Sequence, residues 1–166
     1  MRQITYHIHR YQQGRAFVQT FKFDYEPDRT ILWGLQKIKD TQDPTLTFLA
    51  ACRSAVCGAC SVRVNGEAML GCEAKIDELT ERYGTDELTI APIRDLVVDW
   101  ESKVDRLKTV APWIFLKAEF NEGDKIVRQT PADFKKFVAG TECILCGCCA
   151  SECNKLTARE DDFLEP

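Results

Sequence analysis

Cys52, Cys57, Cys60 and Cys72 are separated by four, two and eleven residues, and this spacing limits the fold more tightly than any other feature of the chain. The backbone must wrap Cys52 to Cys60 in a short loop and bring Cys72 back to it. Five more cysteines crowd between Cys143 and Cys153, making nine in 166 residues, and the stretch between the two blocks has none. The start, Met-Arg-Gln-Ile-Thr-Tyr-His-Ile-His, carries no apolar signal-peptide core. We therefore expect a reducing compartment, where thiols bind metal more often than they pair as disulfides. The odd count points the same way.

C-x4-C-x2-C…C is the spacing of plant-type [2Fe–2S] centres. Two irons need four thiolates converging from different directions. A tight loop, Arg53-Ser54-Ala55-Val56 and then Gly58-Ala59, can wrap three of them around a cluster with backbone N–H groups aimed at the sulfurs. Gly58 suits a position of close approach or positive φ. Cys72 follows a hairpin turning at Asn65-Gly66, which acts as a clamp. A four-cysteine zinc site and plain buried thiols are the alternatives. Zinc usually takes two separated C-x2-C hooks, and only Cys57/Cys60 makes one here.

With 45% hydrophobic residues the chain can build a core, which excludes disorder as a whole-chain class. A net charge of −4 and a pI near 5.3 lack the basic footprint that phosphate-backbone binding needs, so no nucleic acid is expected as partner. No segment reaches the roughly 18 consecutive apolar residues of a membrane span. We find no Gly-rich phosphate loop, no nucleophile–His–acid set and no paired carboxylates in a supporting context. No catalytic residue is therefore assigned. His7 and His9 share a strand face without a third ligand nearby and read as surface or packed residues. Trp33, Trp100 and Trp113 read as packing residues.

Thr5 to Tyr11 alternates, with Tyr6, Ile8 and Arg10 on one face. Ala16 to Tyr25 places Phe17, Gln19, Phe21, Phe23 and Tyr25 on one side, and Gln12-Gln13-Gly14-Arg15 between them suggests a hairpin. Ile31, Leu32, Leu35 and Ile38 form the stripe of an amphipathic helix capped by Asp28 or Thr30 and closed by Asp43-Pro44. Leu46-Thr47-Phe48-Leu49 reads as a short buried strand. Ser61 to Val64 and Glu67 to Leu70 flank Asn65-Gly66, the strongest hairpin signal in the chain. Leu88 to Ala91 reads as the closing strand. This is an α+β unit, one sheet on one helix, in the order of a β-grasp. From Asp95 the pattern turns helical, with Leu96, Val97, Trp100, Val104 and Leu107 along one face. A further helix begins at Thr130-Pro131 and ends at Gly140. The expected domains are 1–98 and 99–166.

Cys143, Cys146, Cys149 and Cys153 give C-x2-C-x2-C-x3-C, the bacterial ferredoxin run without its closing Pro. Three thiolates of such a run hold one cubane and the fourth serves a different cluster. The x3 step carries Cys153 onto the next helical turn. Cys148, beside Cys149, reads as a small buried hydrophobe and not a ligand.

The order of the two blocks resembles the iron–sulfur subunit of succinate dehydrogenase and fumarate reductase over essentially the whole chain. The resemblance is also carried by Asp43 to Phe48, the Asn65-Gly66 turn, Ile93-Arg94-Asp95-Leu96-Val97-Val98-Asp99 and the run Glu142 to Cys149. It implies an N-terminal β-grasp [2Fe–2S] ferredoxin domain followed by an all-α ferredoxin-like domain with [4Fe–4S] and [3Fe–4S] clusters. Cys52, Cys57, Cys60 and Cys72 would bind [2Fe–2S]. Cys143, Cys146 and Cys149 would supply three ligands of [4Fe–4S], and Cys153 one ligand of [3Fe–4S]. Electrons would pass between an FAD-containing catalytic subunit, where succinate and fumarate interconvert, and a quinone-reactive membrane-anchor subunit. Those partners would hold the chain peripherally on the cytoplasmic face of the cell membrane.

Two features depart from that family. Asn154 stands where Pro usually follows the fourth cysteine, at a position bordering the quinone site. This leaves room for the less common types with a cysteine-rich anchor or a methylated quinol. The motif that supplies the remaining cluster ligands does not follow, since thirteen residues remain after Cys153. The expectation is a chain cut within an incomplete C-terminal domain, able to complete only [2Fe–2S]. A free-standing [2Fe–2S] carrier for another flavoenzyme and, in a different class, a zinc-stapled interaction module are the competing readings.

Overall fold

Strands β1 (Gln3–Gln12) and β2 (Arg15–Asp24) pair antiparallel from Gln3↔Asp24 to Gln12↔Arg15 in a computed structural model that describes residues 2–12, 14–93, 130–132, 134–135, 138 and 142–155. Ile4, Tyr6 and Ile8 of β1 and Phe21 and Phe23 of β2 are buried, the period-2 set of a half-buried pair. Arg10 and Phe17 lie further along the same face but outside the core, with the guanidinium 5.7 Å from the ring centroid.

Helix α1 (Ile31–Thr41) starts at Thr30, whose hydroxyl accepts the Trp33 N–H at 3.3 Å. Its stripe of Ile31, Leu32, Leu35 and Ile38 is buried, and each such aliphatic side chain contributes about 2 kcal/mol relative to exposure. Gly34 lets the helix settle onto Tyr6. A Cβ there would lie 2.6–2.8 Å from the Tyr6 ring and hydroxyl. Gly34→Ala is therefore expected to cost about 2 kcal/mol by overpacking, read as a lower urea midpoint at unchanged slope.

The segment from Leu46 to Leu49 is not a strand, contrary to its β-like composition. Asp43 organises a local turn instead: its carboxylate accepts the Thr45 N–H at 2.9 Å and the Thr45 hydroxyl, and its carbonyl accepts the Leu46 N–H at 3.1 Å. The Lys39 ammonium donates to the carbonyls of Pro44 and Leu46. The backbone groups at the start of the segment, up to Leu46, are thereby satisfied locally without a ladder. Arg10 donates to the other Asp43 oxygen at 2.5 Å, tying the turn to β1. The two Thr45 donors, with Arg10 behind them, hold the Asp43 carboxyl at about 2, down from an ordinary 3.8. A depressed carboxyl stabilises the fold above the unfolded-state value and loses that contribution as pH falls through the folded one. Between pH 3.8 and about 2, urea midpoints should therefore fall more steeply in the wild type than in Asp43→Asn. The variant should be the weaker protein at neutral pH.

Strands β3 (Ser61–Val64) and β4 (Glu67–Leu70) meet at Asn65 and Gly66, with φ of 47° and 92°, the left-handed pair a two-residue type I′ turn requires. Asn65 also joins the turn to β5 (Glu87–Ala91), since its N–H donates to the Thr89 carbonyl and its side-chain oxygen accepts the Thr89 N–H at 2.8 Å. Between β4 and β5 the chain forms a second helix, α2 (Ile76–Tyr83), where one helix alone was expected. Its signal is present in the sequence: Ile76, Leu79, Thr80 and Tyr83 recur at helical spacing. Asp77 and Glu78 occupy the first turn, and Gly84 closes the helix at φ 66°.

The sheet order is β2-β1-β5-β3-β4, with β1 and β5 parallel and the other neighbours antiparallel. This is an α+β fold in the β-grasp arrangement. The N-terminus of α1 is tied to the chain after β4: Leu32 N–H donates to Gly71 O at 2.8 Å, Ile31 N–H to Ala74 O at 2.9 Å, and Ile76 N–H to Arg29 O at 2.8 Å. Those bonds fix the end of β4, where Cys72 lies.

The chain forms two compact units, and the described residues from Ile144 to Lys155 belong with the sheet in one of them. They include a short helix, α3 (Cys148–Glu152). Cys143 ends the other unit, in which residues 131–132, 134–135 and 138 are helical. The stripe from Leu96 to Leu107, Trp100, Trp113, the Gly140 helix end and the boundary at residue 98 lie outside the described residues.

Candidate metal centre

The loop between Ala51 and Cys60 turns through left-handed backbone three times, with φ of 56° at Arg53, 58° at Ala55 and 71° at Gly58. Each non-glycine residue held there costs about 1–2 kcal/mol, so the loop is held in shape by its surroundings. The turns aim backbone N–H groups inward at sulfur. Ser54 N–H points to Cys52 Sγ at 3.3 Å and Ala55 N–H to Cys72 Sγ at 3.3 Å. Cys52 N–H points to Cys57 Sγ at 3.5 Å and Cys72 N–H to Cys60 Sγ at 3.4 Å. All four thiols therefore receive a donor. Such bonds favour thiolate, the form that binds iron.

Ser54 N–H, followed by Val56 N–H, brings Cys52 down to about 7. Cys60 is buried, and burial pushes its thiol up. Cys72 is held by the backbone around it, as Gly71 N–H donates to the Cys60 carbonyl at 3.0 Å. None of the nine cysteines is disulfide-bonded.

The four thiols meet in pairs, Cys52 with Cys57 and Cys60 with Cys72. A two-iron cluster spreads its four thiolates over two metals, and this donor set fits that requirement. Cys57 is exposed, and Leu49 and Val56 on the same loop region are 74% and 65% exposed.

The second cysteine block comes directly against this loop. A Cβ on Gly58 would lie 2.8 Å from both Cys146 Cα and the Ile144 carbonyl oxygen. Gly58 thus has the expected positive φ, and the backbone it accommodates is that of Ile144–Cys146. Cys148 is half-buried, and burial pushes its thiol up to about 11. Its neighbour Cys149 is exposed. α3 ends at Glu152, so Cys153 caps the helix in extended backbone and does not continue it by a turn. His7 is engaged away from the cysteines, with its ring nitrogens 3.0 Å from Thr20 Oγ1 and 3.2 Å from Glu87 Oε2.

Sequence reasoning missed Arg63. From β3 its guanidinium reaches Ser151 and Glu152, partners nearly ninety residues further along the chain. No periodicity marks such a pair.

Fold and loop together define a β-grasp domain built to hold an iron–sulfur cluster. A family described as "2Fe-2S iron-sulfur cluster binding domain" matches residues 5–105, and the chain belongs to that family. It is 44% identical over 145 residues to the 8-methylmenaquinol:fumarate reductase iron-sulfur subunit of Wolinella succinogenes, a match covering 83% of this chain and 45% of that one. It is 33% identical to the mitochondrial succinate dehydrogenase [ubiquinone] iron-sulfur subunit 1 of Oryza sativa subsp. japonica, over 98% of this chain and 60% of the relative. The corresponding mitochondrial subunit of Candida glabrata is 32% identical, over 98% and 66%. The chain therefore spans about half to two thirds of the length of these relatives. A solved structure of the Mycobacterium smegmatis Sdh1 complex in the apo form shares the fold, with a TM-score of 0.71 at 19% identity, covering 99% of this chain and 70% of that one. Neither the zinc-stapled module nor the free-standing carrier is favoured by these matches.

Proposed function

We propose that the chain is the iron–sulfur electron-transfer subunit of a succinate dehydrogenase/fumarate reductase complex. The observation that carries this reading is the loop in which four thiols each receive a backbone N–H. The identity to the Wolinella succinogenes subunit supports it independently. In this reading Cys52, Cys57, Cys60 and Cys72 hold [2Fe–2S]. Cys143, Cys146 and Cys149 supply three ligands of a [4Fe–4S] cluster and Cys153 one ligand of a [3Fe–4S] cluster.

When bound, a [2Fe–2S] cluster accepts and releases single electrons. The chain's own residues prepare the place for it. The N–H groups of Ser54, Ala55, Cys52 and Cys72 stabilise negative charge on sulfur. The buried Cys60 side keeps water away, and exposed Cys57, preceded by exposed Val56, opens the other side to a partner. The partners in this reading are an FAD-containing catalytic subunit and a quinone-reactive membrane anchor, through which the chain sits peripherally on the inner face of the membrane. No helix among the described residues is long and apolar enough to cross a membrane.

Isolation of the chain from its own cells under anaerobic conditions tests this assignment. A flavin-carrying protein that oxidises succinate or reduces fumarate should co-purify with it. An isolate lacking any such flavoprotein contradicts the assignment.

A further inference from the structure

Strand β2 stands at one end of the sheet order β2-β1-β5-β3-β4, so one of its sides has no neighbouring strand. The phase of the ladder decides which groups face that side. Tyr25 N–H donates to Arg2 O, and Thr5, opposite Lys22, turns its N–H away from β2 to Asp86 O. Bonded and non-bonded positions alternate in an antiparallel pair. The odd residues of β2, from Arg15 to Phe23, therefore bond to β1, and Ala16, Val18, Thr20, Lys22 and Asp24 send their N–H and C=O groups outward. The register runs unbroken from Gln3↔Asp24 to Gln12↔Arg15, so no bulge twists this edge away.

The two halves of that edge differ. Gln42 Nε2 donates to the Lys22 carbonyl at 2.9 Å and Lys37 Nζ to the Asp24 carbonyl at 2.7 Å, so side chains of α1 and its C-cap close the half toward Asp24. Among the described residues nothing bonds the outward backbone groups of Ala16, Val18 and Thr20. All three residues are exposed, Val18 at 54%. The open stretch holds no Pro, and the charges Arg15 and Lys22 flank it without entering it. A row of unpaired backbone groups of this kind is a template for another strand.

We propose that the open edge of β2 pairs antiparallel with the same edge of a second copy of this chain, joining two five-stranded sheets into one. A two-fold axis at Val18 sets Val18 against its own copy and Ala16 against Thr20, which pairs every open N–H and C=O of the three residues. The same register sets Arg15 opposite Phe21 and Lys22 opposite Gly14, so no like charges face each other. It also carries Lys22 and Asp24 past the end of the second copy's strand at Arg15, where Gln42 and Lys37 close the edge. An axis at Gln19 would set Ala16 against Lys22, whose carbonyl Gln42 already holds. An axis at Phe17 would set Thr20 against the turn at Gly14. The free edge is thus complementary to itself in one register. It is short, so the association is weak and depends on concentration.

Sedimentation and amide exchange of the anaerobically purified full chain at rising concentration test this. The apparent mass should climb from 18.9 kDa toward twice that value. Over the same range exchange at Ala16, Val18 and Thr20 should slow by roughly tenfold or more, while the Gln19 and Phe21 amides, bonded to β1, stay protected at every dilution. Val18→Pro removes the central outward N–H without touching the β1 ladder, and Val18→Lys sets two ammonium groups against each other. Both variants should remain monomeric with Phe21 still protected. If Val18→Pro fails to fold, Val18→Lys and the wild-type exchange decide. A wild type that is monomeric at every concentration overturns the proposal. So does association that Val18→Lys leaves unchanged, or a dimer whose Ala16, Val18 and Thr20 amides exchange freely. Edge amides that become protected only when a flavoprotein is added assign the edge to that protein and overturn the self-pairing.

Discussion

Cys72→Ala is expected to empty the chain of its [2Fe–2S] iron while leaving the sheet folded. Cys72 is the one thiol of the first block outside the 51–60 loop, delivered by the end of β4 and fixed there by the Leu32–Gly71 and Gly71–Cys60 backbone bonds. Its removal leaves three thiolates for two irons and strands the Ala55 N–H, while the backbone N–H of residue 72 can still point to Cys60 Sγ. The side chain is only half-buried and lies outside the hydrophobic cluster of Ile4, Tyr6, Ile31, Ile38, Ile76 and Leu88. The apoprotein should therefore lose no more than about 1 kcal/mol. Iron content near zero with an unchanged far-ultraviolet circular dichroism spectrum is the expected pair of results.

Gly58→Ala should be the most destabilising single methyl in the described chain. Two costs fall on the same atom. An alanine at φ 71° is disfavoured by about 1 kcal/mol, and its Cβ would sit 2.8 Å from Cys146 Cα and the Ile144 oxygen, adding about 2 kcal/mol of overpacking. The neighbours are backbone atoms, which cannot swing aside as a side-chain tip would. Gly14→Ala is the natural control, because it shares a positive φ of 81° but has nothing within 4 Å of the new Cβ. The control should lose about 1 kcal/mol and Gly58→Ala about 3 kcal/mol in urea unfolding, the difference being the cost of the close approach. Equal losses would mean that the two cysteine blocks do not touch.

The features legible in the sequence were those written in local chemistry. Asn65-Gly66 declares its turn because few residue pairs accept two left-handed conformations. The α1 stripe and its Thr30 cap declare a helix, and the C-x4-C-x2-C spacing declares a tight loop that turns its N–H groups toward sulfur. Leu46 to Leu49 misled because composition speaks for a strand while Asp43, Thr45 and Lys39 satisfy the backbone at its start locally. Helix α2 is short and its stripe spans barely two turns, so a reading that passes from hairpin to closing strand overlooks it. The contacts of Gly58 with Cys146 and of Arg63 with Glu152 were beyond reach, because each joins residues nearly ninety apart. Gly58 was singled out for the right property, but its close neighbour is the second block's backbone.

The most direct test of the central claim is the iron and acid-labile sulfide content of the anaerobically purified chain, read with its visible spectrum before and after reduction. Two irons and two sulfides held by Cys52, Cys57, Cys60 and Cys72, with a brown-red absorption that bleaches on reduction, is the result predicted. A colourless protein carrying stoichiometric zinc would contradict it.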